Sequence, residues 1–259
     1  VCCTTRNDLL ILLRRLHRRD DVKRIVVLLA PLLEPEPICV AINEVRVRVG
    51  IGYVDGPAAR DVRIEAVLTT IDTRNWLPRA LGADEIEDGR TVAQVIVGQA
   101  EFADLLVLSN PDRSTLAVLR RLAPLARITV GVDRLEQALG HLESTTRRGR
   151  QRDPHEPLLN GQPPLDAAGE VTLVEFTAQR PFHPQRLHAA IDMLLDGVVR
   201  TRGRAFVANR LDDVMSIESA GGGVLVQHAG TWLAGMNPNE LAGTAPERRA
   251  LAAMNWDDR

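Results

Sequence analysis

The sequence predicts an α/β fold, a parallel sheet with helices on both faces, followed by a smaller α+β domain. Three observations predict it. Between Ile25 and Leu122, short apolar runs bounded by charged or turn residues alternate with helix-periodic segments, the pattern of crossover units in a parallel sheet. Residues 144–168 then lose periodicity and are rich in Arg, Pro, Gly and Asp, as expected of a linker. After them, closely spaced apolar runs separated by Gly and Asp suit an antiparallel sheet with one helix laid on it. The expected domains are therefore 1–143 and 169–259.

The elements follow in order. Leu9, Leu12, Leu13 and Leu16 recur at helical spacing, with Thr5 or Asn7 able to cap the start and Arg14, Arg15, Arg18 and Arg19 expected on the wet side. Ile25–Leu29, bounded by charge and by Pro31, reads as a buried parallel strand. Ile64–Ile71 reads as a second strand, Val92–Glu101 as a helix, Leu105–Leu108 as a third strand and Ser114–Leu122 as another helix. Beyond the linker, Val171–Phe176 reads as a strand and His183–Leu195 as a helix entered through Pro184. Ala205–Ala208, Val214–Glu218 and Val224–His228 read as strands.

A formal net charge of −2 excludes a global field that would drive the chain onto nucleic acid or membrane. Basic residues do cluster locally, at Arg14, Arg15, Arg18 and Arg19 and again at Arg147, Arg148 and Arg150. Each cluster can contact RNA phosphates or a protein partner, or be a solvated face. Three cysteines, two of them adjacent, argue against a disulfide framework and for a reducing compartment, so a cytoplasmic location is expected. No apolar run approaches the roughly 20 residues of a membrane span. Cys39, within the apolar run Ile38–Ile42, reads as a buried small hydrophobe. Cys2 and Cys3 stand before a helix start with Arg6 nearby, which favours thiolate and makes them candidate ligands for a soft metal. Two thiols do not close a four-ligand zinc site. Glu34, Glu36, Asp72, Glu101 and Asp104 are carboxylates that folding can group but spacing does not.

Cys2-Cys3-Thr4-Thr5-Arg6-Asn7-Asp8-Leu9 resembles the Cys-x-Cys-Cys-Thr-x-Arg-x-Asp-Leu segment of CobW-like proteins, P-loop GTPases associated with zinc, cobalt and cobalamin metallation. Arg180-Pro181-Phe182-His183-Pro184-Gln185-Arg186-Leu187 is similar to the signature that opens the C-terminal domain of that family. Arg200-Thr201-Arg202-Gly203 resembles its Arg-x-Lys-Gly turn, and Gly221–Gly223 and Trp232 follow in the family's order. The resemblance implies a P-loop-GTPase-like first domain, with the first cysteine and the phosphate-binding loop upstream of Val1, and a CobW-type C-terminal domain.

The resemblance weakens where nucleotide chemistry belongs. The family's Glu-x-x-Gly aligns with Leu28-Leu29-Ala30-Pro31, which offers no carboxylate to Mg²⁺, and Pro31 has no N–H for a phosphate oxygen. The guanine-reading Asn-Lys-x-Asp aligns with Ser109-Asn110-Pro111-Asp112, leaving Asn110 and Asp112 as vestigial nucleotide contacts or ordinary turn residues. GTP hydrolysis is not expected, since phosphoryl transfer depends on these parts. With these degenerate motifs and the two Arg clusters, the function the resemblance implies first is that of an actinobacterial branch that brings the ribosome hibernation-promoting factor to ribosomes in zinc starvation. The alternative is GTP-dependent insertion of zinc or cobalt into a metalloprotein client. An adaptor of metal homeostasis without nucleic-acid contact is the third.

Overall fold

The computed structural model describes residues 3–143, 148–150, 158–159, 161–246, 249–250 and 253, and within these the side chains of Cys3 and Leu194 are not described. The chain divides into two units, the first of residues 1–78, 95–152 and 161–173, the second of residues 79–94, 153–160 and 174–259.

In the first unit the helices are α1 (Cys3–Leu16), α2 (Pro35–Glu44), α3 (Thr73–Ala80), α4 (Val92–Phe102), α5 (Arg113–Leu122) and α6 (Leu135–Gly140), with α3 ending and α4 beginning in residues of the second. The strands β1 (Leu68–Asp72), β2 (Leu105–Ser109) and β3 (Arg127–Val130) form a parallel sheet in that order. The four residues Leu105 to Leu108 are all at most 5% exposed, so both faces of the central strand are covered, as a parallel sheet requires. Burying such side chains contributes about 2 kcal/mol each. The amino ends of the strands are tied through Asp104. Its N–H donates to the Val67 carbonyl (2.8 Å), its carbonyl accepts from Arg127 N–H (3.0 Å), and its carboxylate accepts from the N–H groups of Val67 (2.7 Å) and Arg148 (2.8 Å). Gly149, at φ +74°, then passes so close that a Cβ would lie 2.6 Å from Ile64 Cδ1 and 3.0 Å from Cys39 Sγ.

Several expectations change. Arg14 does not face water. It is 1% exposed, with Nε donating to Asp61 Oδ2 (2.6 Å), Nη2 to the Val54 carbonyl (2.8 Å) and Nη1 to the Gly56 carbonyl (3.2 Å). Arg14 points inward on α1 beside Leu10 and Leu13, which pack with Ile38, Ala41 and Ile42 of α2, while Leu12 is exposed. Ile25–Leu29 is not a strand: no described strand pairs with it, and Val26 and Leu28 are 83% and 94% exposed. The segment after it is held by Gln99, whose Nε2 donates to the Pro31 and Leu33 carbonyls at 2.9 Å. The strand expected over 64–71 begins at Leu68. α2, α3 and β3 arise where no element was expected; Pro35 opens α2 at its first turn, where a missing N–H costs nothing.

The second unit holds α7 (Pro184–Ile191), the antiparallel sheet β4 (Arg200–Val207), β5 (Arg210–Ala220) and β6 (Gly223–Thr231) in that order, and α8 (Pro238–Ala242). Phe182 and Leu187 pack on Ala205, Val207 and Ile217, and Phe182 exchanges backbone hydrogen bonds with Phe206 and Ala208. Among the described residues, Val171–Phe176 makes only the isolated bridge between Ala168 and Val171; Val174 and Phe176 stand exposed. Arg200–Gly203 is not a turn but the start of β4, paired with Ile217–Ala220. The turn lies instead at Gly221 and Gly222. Gly221, at φ +51°, seats against residues 80–93, where a Cβ would lie 2.4 Å from the Gly82 carbonyl oxygen, and Gly222 N–H donates to that oxygen at 3.1 Å.

Two expected outcomes follow. Arg14→Ala removes the donor of Asp61 and of the Val54 carbonyl and should lower unfolding free energy in urea by about 3 kcal/mol. Arg19→Ala, which breaks only the exposed pair with Asp21, should leave the urea midpoint essentially unchanged, because solvent screens an exposed pair. Burial, then the charges of Asp104 and Glu36, push the Cys39 thiol up to about 12. At pH 8 Cys39 should therefore be alkylated about a hundredfold more slowly than an exposed thiol, and denaturant should abolish the difference.

Candidate functional site

A parallel sheet places ligands at the carboxyl ends of its strands, and here the ends of β1 and β2 come level, Asp72 opposite Ser109. The loop after β2 turns at Asn110, held in the left-handed region at φ +49°. Asn110 Nδ2 donates to Asp72 Oδ1 at 3.2 Å, and the Thr73 hydroxyl donates to the Asn110 carbonyl. Asp72 also forms a fork with Arg74, whose Nη2 lies 2.7 Å from Oδ2, and this guanidinium holds the carboxyl at about 2. Asp112 is the N-cap of α5: Oδ1 accepts from Thr115 N–H at 2.9 Å, the main cause of its lowered pKa. The structure thus brings Asn110 and Asp112 to one loop, and adds Asp72, Thr73 and Arg74 to it. Asp72 closes β1 directly after Ile71, a position at which a carboxylate meets this crevice, and that was the available signal. Asp104, by contrast, lies at the opposite end of β2, so these two carboxylates are not grouped.

The arginines of α1 part company. Arg15, Arg18 and Arg19 are exposed, unlike Arg14. Arg18 stacks 3.7 Å over the Tyr53 ring and donates to the Gly52 carbonyl, Arg15 reaches the Val49 carbonyl at 3.5 Å, and Arg19 pairs with Asp21 at 2.7 Å. Of the second cluster, Arg147 lies outside the described residues, Arg148 is tied by its N–H to Asp104, and Arg150 is exposed. In the second unit Arg180, Pro181 and His183 are exposed, His183 and Pro184 form the start of α7, and no side-chain hydrogen bond from His183 caps it. Arg200 pairs with Glu218 at 2.5 Å, and nothing lies near enough to Gly203 to exclude a side chain there.

The candidate metal and nucleotide residues are placed as follows. Cys2 lies outside the described residues, Cys3 opens α1, and among the described residues no three His, Cys, Asp or Glu side chains come close enough together to hold a metal ion. Residues 28–31 supply no oxygen ligand from a side chain, and Asp112 and Asn110 are engaged within their own loop. No helix among the described residues is long and apolar enough to cross a membrane.

Comparison with known proteins places this geometry. Residues 1–129 match the CobW/HypB/UreG nucleotide-binding domain, and residues 171–251 match the cobalamin synthesis protein cobW C-terminal domain. The chain is 66% identical over 256 residues to a zinc chaperone of Mycobacterium tuberculosis, covering 99% of the chain and 64% of that protein. It is 21% identical over 285 residues to zinc-regulated GTPase metalloprotein activator 1 of Dictyostelium discoideum, covering all of the chain and 58% of that protein. No solved structure matches. The parallel sheet, the crevice at its carboxyl edge and the Phe182-anchored antiparallel sheet are thus a CobW/HypB/UreG nucleotide-binding domain joined to a CobW C-terminal domain.

Proposed function

We propose that this chain belongs to a zinc-handling protein in which zinc is cargo, taken up through Cys2 and Cys3 with donors beyond these two, and passed to a metalloprotein client. The observation that carries this reading is the 66% identity, over 256 residues, to a zinc chaperone. Thiolates suit zinc, and the start of α1 favours thiolate at its first residue. Zinc titration of the protein carrying this chain, in competition with a chromophoric chelator, tests it. Cys2→Ser with Cys3→Ser should weaken zinc at least about tenfold, because each lost thiolate removes a ligand; unchanged affinity in the double variant sinks the thiol site.

A second reading is favoured by one observation, the absence of a carboxylate at residues 28–31 together with the use of Asp112 as a helix cap. Such a scaffold suits binding rather than hydrolysis. On this reading the protein brings the ribosome hibernation-promoting factor to ribosomes when zinc is scarce, with exposed Arg15, Arg18, Arg19 and Arg150 as the contacts and Arg14 excluded by burial. Co-sedimentation with ribosomes from zinc-starved and zinc-replete cells should show association with the former alone, weakened when Arg15 and Arg18 are changed to Glu. Equal sedimentation with both kinds of ribosome, or none, rejects this reading and leaves the cargo reading standing.

A further inference from the structure

α5 carries a feature that neither reading uses. Arg113, Leu116, Ala117, Arg120 and Arg121 lie on one helical face, and with the segment 164–168 they line a groove of about 390 Å³. Arg113 and Arg120 are exposed at its rim and pair with no acidic side chain among the described residues. Seven residues apart on a helix, they stand about 10 Å from one another. Arg121 donates through Nη1 to the Ala117 carbonyl (2.8 Å) and through Nη2 to the Asp166 carbonyl, while its Nε is shielded from solvent with no acceptor among the described residues.

We propose that this groove docks an acidic peptide segment of a partner protein, an apolar side chain seated between Leu116, Ala117 and Pro164 and flanking carboxylates meeting Arg113 and Arg120. Charge selects the partner. Three guanidiniums around the single carboxylate of Asp166 invert the sign of a chain whose net charge is −2, and Arg favours carboxylates through paired N–H donors. The apolar floor favours peptide over RNA, since no aromatic ring lines the groove to stack a base. Rim charges act mainly on the rate of encounter and on selectivity, while the seated side chain supplies affinity.

Fluorescence anisotropy at physiological salt tests the proposal with three labelled probes: a peptide alternating glutamate and leucine, its glutamine counterpart, and a single-stranded oligouridine of equal charge. The acidic peptide should bind best. Arg113→Glu with Arg120→Glu, both on exposed positions, should weaken it by about tenfold or more through charge repulsion. Ala167→Glu, on the opposite wall, should weaken it as well without touching either arginine. Equal binding of the glutamine peptide, preferential binding of oligouridine, or no effect of the variants overturns the proposal. Self-association in sedimentation experiments that disappears in the double variant also overturns it, by assigning the groove to a second copy.

Discussion

Much of the first unit hangs on one buried carboxylate. Asp104 sits where the amino ends of three parallel strands must be brought level, and its backbone and side chain bond to Val67, Arg127 and Arg148 together. Parallel strands have no shared turn to set their register, so a residue that touches both neighbours at the ladder's start does the work a hairpin does elsewhere. A carboxylate in that role is held by N–H donors, and at 2% exposure it requires them, because a buried anion without hydrogen bonds is unstable by several kcal/mol. The same oxygen that receives Arg148 also brings Gly149 down onto Cys39 and Ile64, so a piece of the expected linker becomes part of the wall.

Arg14 shows the same logic at the other side of the unit. A guanidinium has five N–H groups in a fixed fork, and the loop from Val47 to Gly56 offers it carbonyls while Asp61 offers charge. The arginines beside it settle into shallower bonds with Tyr53, Gly52 and Asp21. Of the arginines that read as one basic patch, Arg14 is an internal fastener, while Arg15, Arg18 and Arg19 stay exposed.

The sequence made the alternation of strands and helices legible because β2 is apolar from Leu105 to Leu108 and α4 is largely apolar, both bounded by polar residues, a pattern that needs no partner to be recognised. It made the Phe182 block legible through its proline pair. It misled at Ile25–Leu29, where the run is unpaired, with Val26 and Leu28 exposed and only its ends packed on the core, and at Arg14, since periodicity sorts residues by type and not by the acceptors that the fold delivers. Asp72 stood among the carboxylates that folding can group, but its place beside Asn110, like that of Thr73, depends on the level of a neighbouring strand, which the register Asp72 opposite Ser109 sets. Cys2 and Arg147 lie outside the described residues, so their reading rests on sequence.

The seat of Gly221 and Gly222 on residues 80–93 makes the second unit discontinuous along the chain. Its boundary cannot be drawn with one cut. A fragment beginning after the linker would carry a glycine turn shaped to a surface it no longer possessed, with the Gly222 N–H stripped of its acceptor. The two halves of this protein are consequently interleaved in synthesis as well as in sequence: the later unit borrows a stretch that the ribosome has made more than a hundred residues earlier, and it is complete only once both pieces have emerged.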